Sequence, residues 1–302
     1  MIRQGARRGL VAALFGLSVI VLRGQAVFRS ETRLVVLHVT VTNSHGELVR
    51  NLPQQAFTIF ENGKRQPISI FRSDDVPVSV GLLIDNSGSM RLLRTKVEAA
   101  ALAFAHASNP EDEMFVVNFA DTARLDVPMT SNLQVLVSGI ARVDSIGGTA
   151  LRDALSTGEN YLRQYAKRDA RVLLVITDGN DNASVTTVAR VREQAESAET
   201  VIDAIGVFGG QESSRAGTGR HELEALTDQT GGVAYFPASV EQVESVAVEL
   251  ARQIRNQYTI AYAPLNQALD GSYRTIRVEV NGPEHYKVRT RSGYRASPDT
   301  NR

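Results

Sequence analysis

Five oxygen-bearing side chains stand out for what they could do together. They are Asp85, Ser87 and Ser89 in the stretch DNSGSM, Thr149 in GGTAL, and Asp178 in TDG. They offer two carboxylates and three hydroxyls, with no histidine or cysteine among them. Hard divalent cations bind through oxygen, and Mg²⁺ takes few carboxylates and keeps several waters. Two carboxylates balance the charge of such a cation. The alternation Asp-x-Ser-x-Ser lets a curling loop point every second side chain at one centre. The glycines at 88, 147, 148 and 179 let the backbone come close. Taken singly, each residue has a plainer reading. Asp85, Ser87 and Ser89 could cap a helix starting near Arg91, and Thr149 could cap the helix that follows it. Asp178 could be a turn residue before Gly179.

These residues can meet only if their elements bring them to one edge. From Val78 to about Ile254 the chain carries near-continuous apolar runs: VGLLID, MFVVNFA, RVLLVITD, VIDAIGV and, more weakly, GGVAYFP. Such runs are expected of a parallel sheet covered on both faces. Helical spacing intervenes at Leu93, Val97, Ala100, Ala101 and Phe104, and again at Val243, Val246, Ala247, Leu250 and Ile254. The repetition predicts a doubly wound α/β domain over residues 78–254, with a mostly parallel sheet. Ligands of such a sheet sit at the carboxyl ends of its strands. Asp85 ends one strand, Thr177-Asp178-Gly179 ends another, and the Gly147-Gly148 turn leads to Thr149 ahead of a helix.

The flanks read as β structure. In residues 27–77, Val35, Leu37, Val39 and Val41 alternate with Val36, His38 and Thr40, and Asn62-Gly63 lies between two β-rich runs as a hairpin turn. Residues 255–296 return to the same texture. Each flank alone has too few strands to be stable in water. The two are expected to pair as one small β domain with the α/β domain inserted between them, two separate appendages being the alternative. Residues 297–302 read as a frayed tail. Residues 1–26 read as an export signal. Arg3, Arg7 and Arg8 precede an uncharged, mostly apolar run over 9–22, and Gly24 and Ala26 offer a cleavage site. The expected location is the periplasm or the cell exterior, an uncleaved anchor being the alternative.

Composition excludes several roles. Basic and acidic side chains balance at 33 each, so no net field favours nucleic acid or an anionic membrane. With no cysteine there is no thiolate site, disulfide or cysteine nucleophile. The five histidines, at 38, 45, 106, 221 and 285, fall at none of the expected strand ends. There is no Gly-x-Ser-x-Gly elbow and no phosphate-binding Gly-x-x-x-x-Gly-Lys loop. A metal-assisted phosphatase on such a sheet would want an acid two residues after its first aspartate, where Ser87 stands. An enzyme is not expected.

DNSGSM, GGTAL and TDG, in that order and on those elements, resemble the metal-ion-dependent adhesion site of von Willebrand factor type A domains, over about residues 78–254. The resemblance implies a metal site of Asp85, Ser87, Ser89, Thr149 and Asp178. It implies Mg²⁺, with Mn²⁺ or Ca²⁺ possible, and a partner protein whose Glu or Asp carboxylate fills the last coordination position. The function implied is a metal-dependent adhesion or assembly module. The alternative is a scaffold in which the metal only stabilises the fold and the β domain makes the contacts. The flanks resemble the terminal regions of exported bacterial von Willebrand factor A-related proteins, common in acidobacteria. Asp153 reads as a neighbour of the site or a favourable first-turn charge, Asp181 and Asn182 as rim or equally as a solvated loop, and Asp112 as a strand-entry turn.

Overall fold

The computed structural model describes residues 33–140, 146–197, 200–208 and 214–297. The expected export signal over 1–26 and all but the first residue of the expected 297–302 tail lie outside them.

The chain enters as β1 (Val35–Thr42), which buries Val35, Leu37, Val39 and Val41 as its alternation requires. β2 (Phe57–Glu61) and β3 (Lys64–Gln66) are joined at Asn62 and Gly63, with φ of 47° and 76°. Positive φ at both central residues is the tight turn that matches strand twist. β4 (Ile68–Arg72) follows.

The chain then runs through β5 (Val78–Asp85), α1 (Arg94–Ala107), β6 (Glu113–Phe119), β7 (Ala123–Thr130), α2 (Leu133–Ile140), α3 (Leu151–Tyr165), β8 (Ala170–Thr177), α4 (Val188–Ser197), β9 (Thr200–Gly206), α5 (Ser214–Thr230), β10 (Ala234–Tyr235) and α6 (Val243–Arg255). The sheet order is β10-β9-β8-β5-β6-β7, parallel throughout except for β7 against β6. All eight residues of β5 are buried, because the strand lies mid-sheet between two helical layers. Val80, Leu82 and Ile84 pack with α1, α2 and α6; Leu83 packs with α3, α4 and α5. β7 lacks an apolar run. It is an edge strand, and Val127 is its buried residue. Asp112 accepts Val78 N at 2.7 Å and Asn109 N at 2.9 Å, so it shapes the entry to β5 and β6.

β11 (Tyr258–Tyr262), β12 (Tyr273–Val280), β13 (Lys287–Arg289) and β14 (Gly293–Arg295) complete the chain. They interleave with the first four strands in two sheets, β13-β1-β11-β4 and β14-β12-β2-β3. One apolar core joins both sheets, with Leu37, Val39, Ile59, Ile260 and Val278 inside. The ends of the chain thus form one β body rather than two appendages. At its centre Glu61 accepts the hydroxyls of Tyr262 at 2.8 Å and Tyr294 at 2.9 Å, and Arg274 stands 3.3 Å from its other oxygen.

This β body lies at the amino edge of the six-stranded sheet, where β5 begins and α6 ends. Ser292 N reaches Gln229 O at 3.4 Å and Arg295 pairs with Glu196 at 2.7 Å, at the carboxyl ends of α5 and α4. The carboxyl edge of the sheet, with Asp85 and Thr177, faces the other way. Among the described residues no helix is long and apolar enough to cross a membrane.

Candidate metal centre

β5 ends on Asp85, and its side chain decides the turn that follows. Oδ1 accepts Ser87 N at 2.8 Å, closing a local side-chain turn. Oδ2 accepts Thr177 Oγ1 at 2.6 Å, tying β5 to the end of β8. Ser87 is buried and Ser89 exposed, their hydroxyls 3.0 Å apart. A short 3-10 turn, Gly88–Leu92, intervenes before α1 opens at Arg94. Ser87 holds the cap position of that turn and Leu93 that of α1, but neither makes a side-chain capping bond, so the side chains of Asp85, Ser87 and Ser89 do not cap these helices. Nor does Thr149 cap α3, since Ala150 holds its cap position with no side-chain bond.

The loop before α3 is stitched to the first. Gly88 N donates to Gly147 O at 3.0 Å and Ile146 N to Asn86 O at 3.1 Å. Asn86 is itself buried and donates to Asn118 Oδ1 at 2.6 Å. Thr149 is buried, and its backbone is held from the third loop: Thr149 N donates to Asn182 Oδ1 at 2.9 Å, and Asn182 N returns to Thr149 O at 3.0 Å. Its hydroxyl takes no hydrogen bond among the described residues. Asp178 is half-buried, with one long bond of 3.3 Å from Asn180 N to its Oδ1. Burial pushes the Asp85 carboxyl up to about 6 against the pull of Thr177 and Ser87, and the Asp178 charge adds to the rise. The two carboxylates are thus close enough to repel.

The residues around the donors have structural work. Asp181 binds Arg152 Nη2 at 2.9 Å and Ser184 Oγ at 2.7 Å. Asp153 accepts Thr186 N at 2.8 Å and Val185 N at 3.1 Å, so it braces the third loop. Asn182, exposed on the third loop, also holds the Thr149 backbone. Two residues had escaped the sequence reading as participants. Thr177 joins β8 to Asp85. Asp121, on the β6–β7 connection, accepts Gly148 N at 2.6 Å. Its position after the run MFVVNFA, like that of Asp85 after VGLLI, was the available signal. Two glycines allow the close approaches. Gly147 has a φ of 91°, and a Cβ there would stand 2.4 Å from Asp121 Oδ2. A Cβ on Gly179 would stand 2.8 Å from the Gly219 carbonyl of α5.

The arrangement offers an oxygen-only donor set on three loops already bonded to one another. Among the described residues no three His, Asp or Glu side chains cluster as a carboxylate-rich metal cage. Two carboxylates with three hydroxyls fit instead a hard cation that keeps open or water-filled positions.

Residues 80–180 match the family model described as von Willebrand factor type A domain. In fold, the chain resembles a von Willebrand factor type A protein from Catenulispora acidiphila, at 12% identity and a TM-score of 0.53, covering 90% of this chain and 76% of that one. It also resembles proximal thread matrix protein 1 from the mussel byssus, at 17% identity and a TM-score of 0.52, covering 65% of this chain and 51% of that one. No curated protein matches the sequence. The six-stranded, mostly parallel sheet between helical layers thus has the fold of a von Willebrand factor type A domain, with residues 80–180 matching that family's model, and it stands between the two halves of a β body.

Proposed function

We propose that the chain is a divalent-cation-dependent protein-binding module of the adhesion or assembly kind, working outside the cytoplasm. Asp85, Ser87, Ser89, Thr149 and Asp178 would hold Mg²⁺, or Mn²⁺ or Ca²⁺ in its place. A Glu or Asp of a partner protein would complete the shell. The observation that carries this reading is spare donor capacity at a pre-formed site. The Thr149 hydroxyl takes no hydrogen bond among the described residues, and Asp178 accepts one long one. When bound, the cation would offer a coordination position facing solvent, which an incoming carboxylate oxygen would fill. The chain's own residues orient the site. Thr177 and Ser87 N aim Asp85, Asn182 fixes the backbone of Thr149, and Asp121 holds the glycine turn.

The reading is one of binding rather than catalysis. The histidines lie on β1, the β1–β2 connection, α1, α5 and the β12–β13 connection, with none on the three loops. A cation serving only as a staple is disfavoured, because protein hydrogen bonds already join the loops. Calorimetric titration of Mg²⁺ into the full chain should saturate, and Asp178→Asn should weaken it at least ~10-fold, about 1.4 kcal/mol. Proteins of an exported fraction should be retained in Mg²⁺ and released by EDTA, with the melting temperature nearly unmoved. Retention that is the same under chelation would sink the adhesion reading; a large fall in melting temperature would favour the staple.

A further inference from the structure

A groove of about 620 Å³ runs between α4 and α5, within the size of small-molecule sites. Val188 and Val191 of α4 line one side, Ala225 and Leu226 of α5 the other. Arg152, in the first turn of α3, lines the end nearest the carboxyl edge of the sheet. None of these residues belongs to the cation donor set.

Two opposite charges line this groove without partners. Glu222 is half-buried on α5 and Arg192 exposed on α4, and neither side chain makes a hydrogen bond or ion pair among the described residues. Burial pushes the Glu222 carboxyl up, Arg152 pulls it back and Asp181 adds to the rise. Arg152 answers Glu222 only in part, because its Nη2 is committed to Asp181 at 2.9 Å. Arg152 Nε is buried with no acceptor, so a donor stands idle at that end. Arg192 lies toward the other end, where Gln229 Nε2 reaches its carbonyl at 3.4 Å. Glu222 and Gln229 are two turns apart on α5, about 10 Å along its axis. His221, on the rim, stands 3.7 Å from Glu224 of its own helix. The groove thus has a negative end, an apolar middle and a positive end.

We propose that the groove between α4 and α5 binds a short apolar peptide with free ends, its ammonium against Glu222 and its carboxylate against Arg192. Three residues of extended chain span about 10 Å, which matches the separation along α5. The first peptide carbonyl would accept Arg152 Nε, and the peptide's apolar side chains would rest on Val188, Val191 and Leu226. The charges agree: Arg152 is balanced by Asp181, and Glu222 and Arg192 each lack a counter-charge that a zwitterion supplies. A zwitterion whose charges are adjacent, such as a single amino acid, does not reach both ends. The site needs no metal, so it stands or falls independently of the cation-binding reading.

Calorimetric titration of the peptide Leu-Ala-Leu into the full chain tests this. Binding should saturate at one site with a Kd below about 1 mM, and it should be the same in Mg²⁺ and in EDTA. Acetylating the amino end of the peptide and amidating its carboxyl end should each weaken binding ~10-fold, the loss of one charge-assisted contact. In Glu222→Gln the acetyl group should cost nothing further, and in Arg192→Gln the amide should cost nothing further. Ala225→Trp, at an exposed position on the groove wall, should fill the groove and abolish binding with the melting temperature unmoved. Free leucine should bind at least ~10-fold more weakly than the peptide. No saturation by about 5 mM peptide would overturn the proposal. So would an acetylation penalty that persists in Glu222→Gln, an acetylated peptide that binds as well as the free one, or binding that is lost in EDTA.

Discussion

Asp85 and Glu159 are both buried acids, yet their surroundings treat them differently. Asp85 keeps two short hydrogen bonds, from Ser87 N and Thr177 Oγ1, which offset part of its desolvation. A cation beside it would favour the charged form further. Glu159, on the inner side of α3, is 7% exposed and its Oε1 has no hydrogen-bond partner. Burial pushes its carboxyl up to about 7, with Thr200, Arg163 and Arg171 pulling only partly back. The folded state therefore keeps a proton that the unfolded state releases near 4.5. Stability contributed by this group is intact below that pH and is lost progressively as the pH rises to about 7. Glu159→Gln should leave stability unchanged at pH 4 and raise it at pH 8 by about 3 kcal/mol. Urea unfolding of both chains at the two pH values checks this; an equal difference at both would refute it.

The elements show where pattern reading succeeds and where it stops. β5, β6, β8 and β9 were legible because a strand covered on both faces must be apolar at nearly every position. β7 was not, because an edge strand pairs on one side and buries little. The polar loops were legible as donor types, but their mutual bracing was not, since Asp121 and Gly147 are 26 positions apart and meet only through topology. Gly147→Ala has to displace the Asp121 carboxylate and adopt a φ of 91°. It should cost about 1–3 kcal/mol and weaken Mg²⁺ binding together. Gly63→Ala, with a φ of 76° and open space around it, should cost only about 1 kcal/mol and leave Mg²⁺ binding untouched. Thermal unfolding with parallel titration separates the two.

For the whole molecule, the decisive contact lies far from the candidate metal centre. Glu61 collects Tyr262, Arg274 and Tyr294 from 201, 213 and 233 positions along the chain. Those bonds fasten the end of the chain to its beginning and close the β body around the inserted domain. Glu61→Ala would leave two tyrosine hydroxyls without their acceptor and the buried Arg274 guanidinium, still bonded to the carbonyls of Asn266 and Ala268, without its counter-charge. A loss of about 3–5 kcal/mol is expected, against about 1 kcal/mol for Tyr294→Phe, both read from denaturant midpoints. Equal, small losses would show that apolar packing alone holds the sandwich.

The amino-acid sequence by itself determined the donor chemistry, the alternation of β1 and the helical and strand periods of the inserted domain. These depend on residue type and short-range spacing, which are local properties. Only the tertiary structure decided that the side chains of Ser87 and Thr149 cap no helix and that Asp153, Asp181 and Asn182 brace the loops. It also decided that the two flanks make one core. Each of these depends on which groups meet across the fold. Thr177 reaches Asp85 over 92 positions, a distance set by strand order rather than by any pattern along the chain.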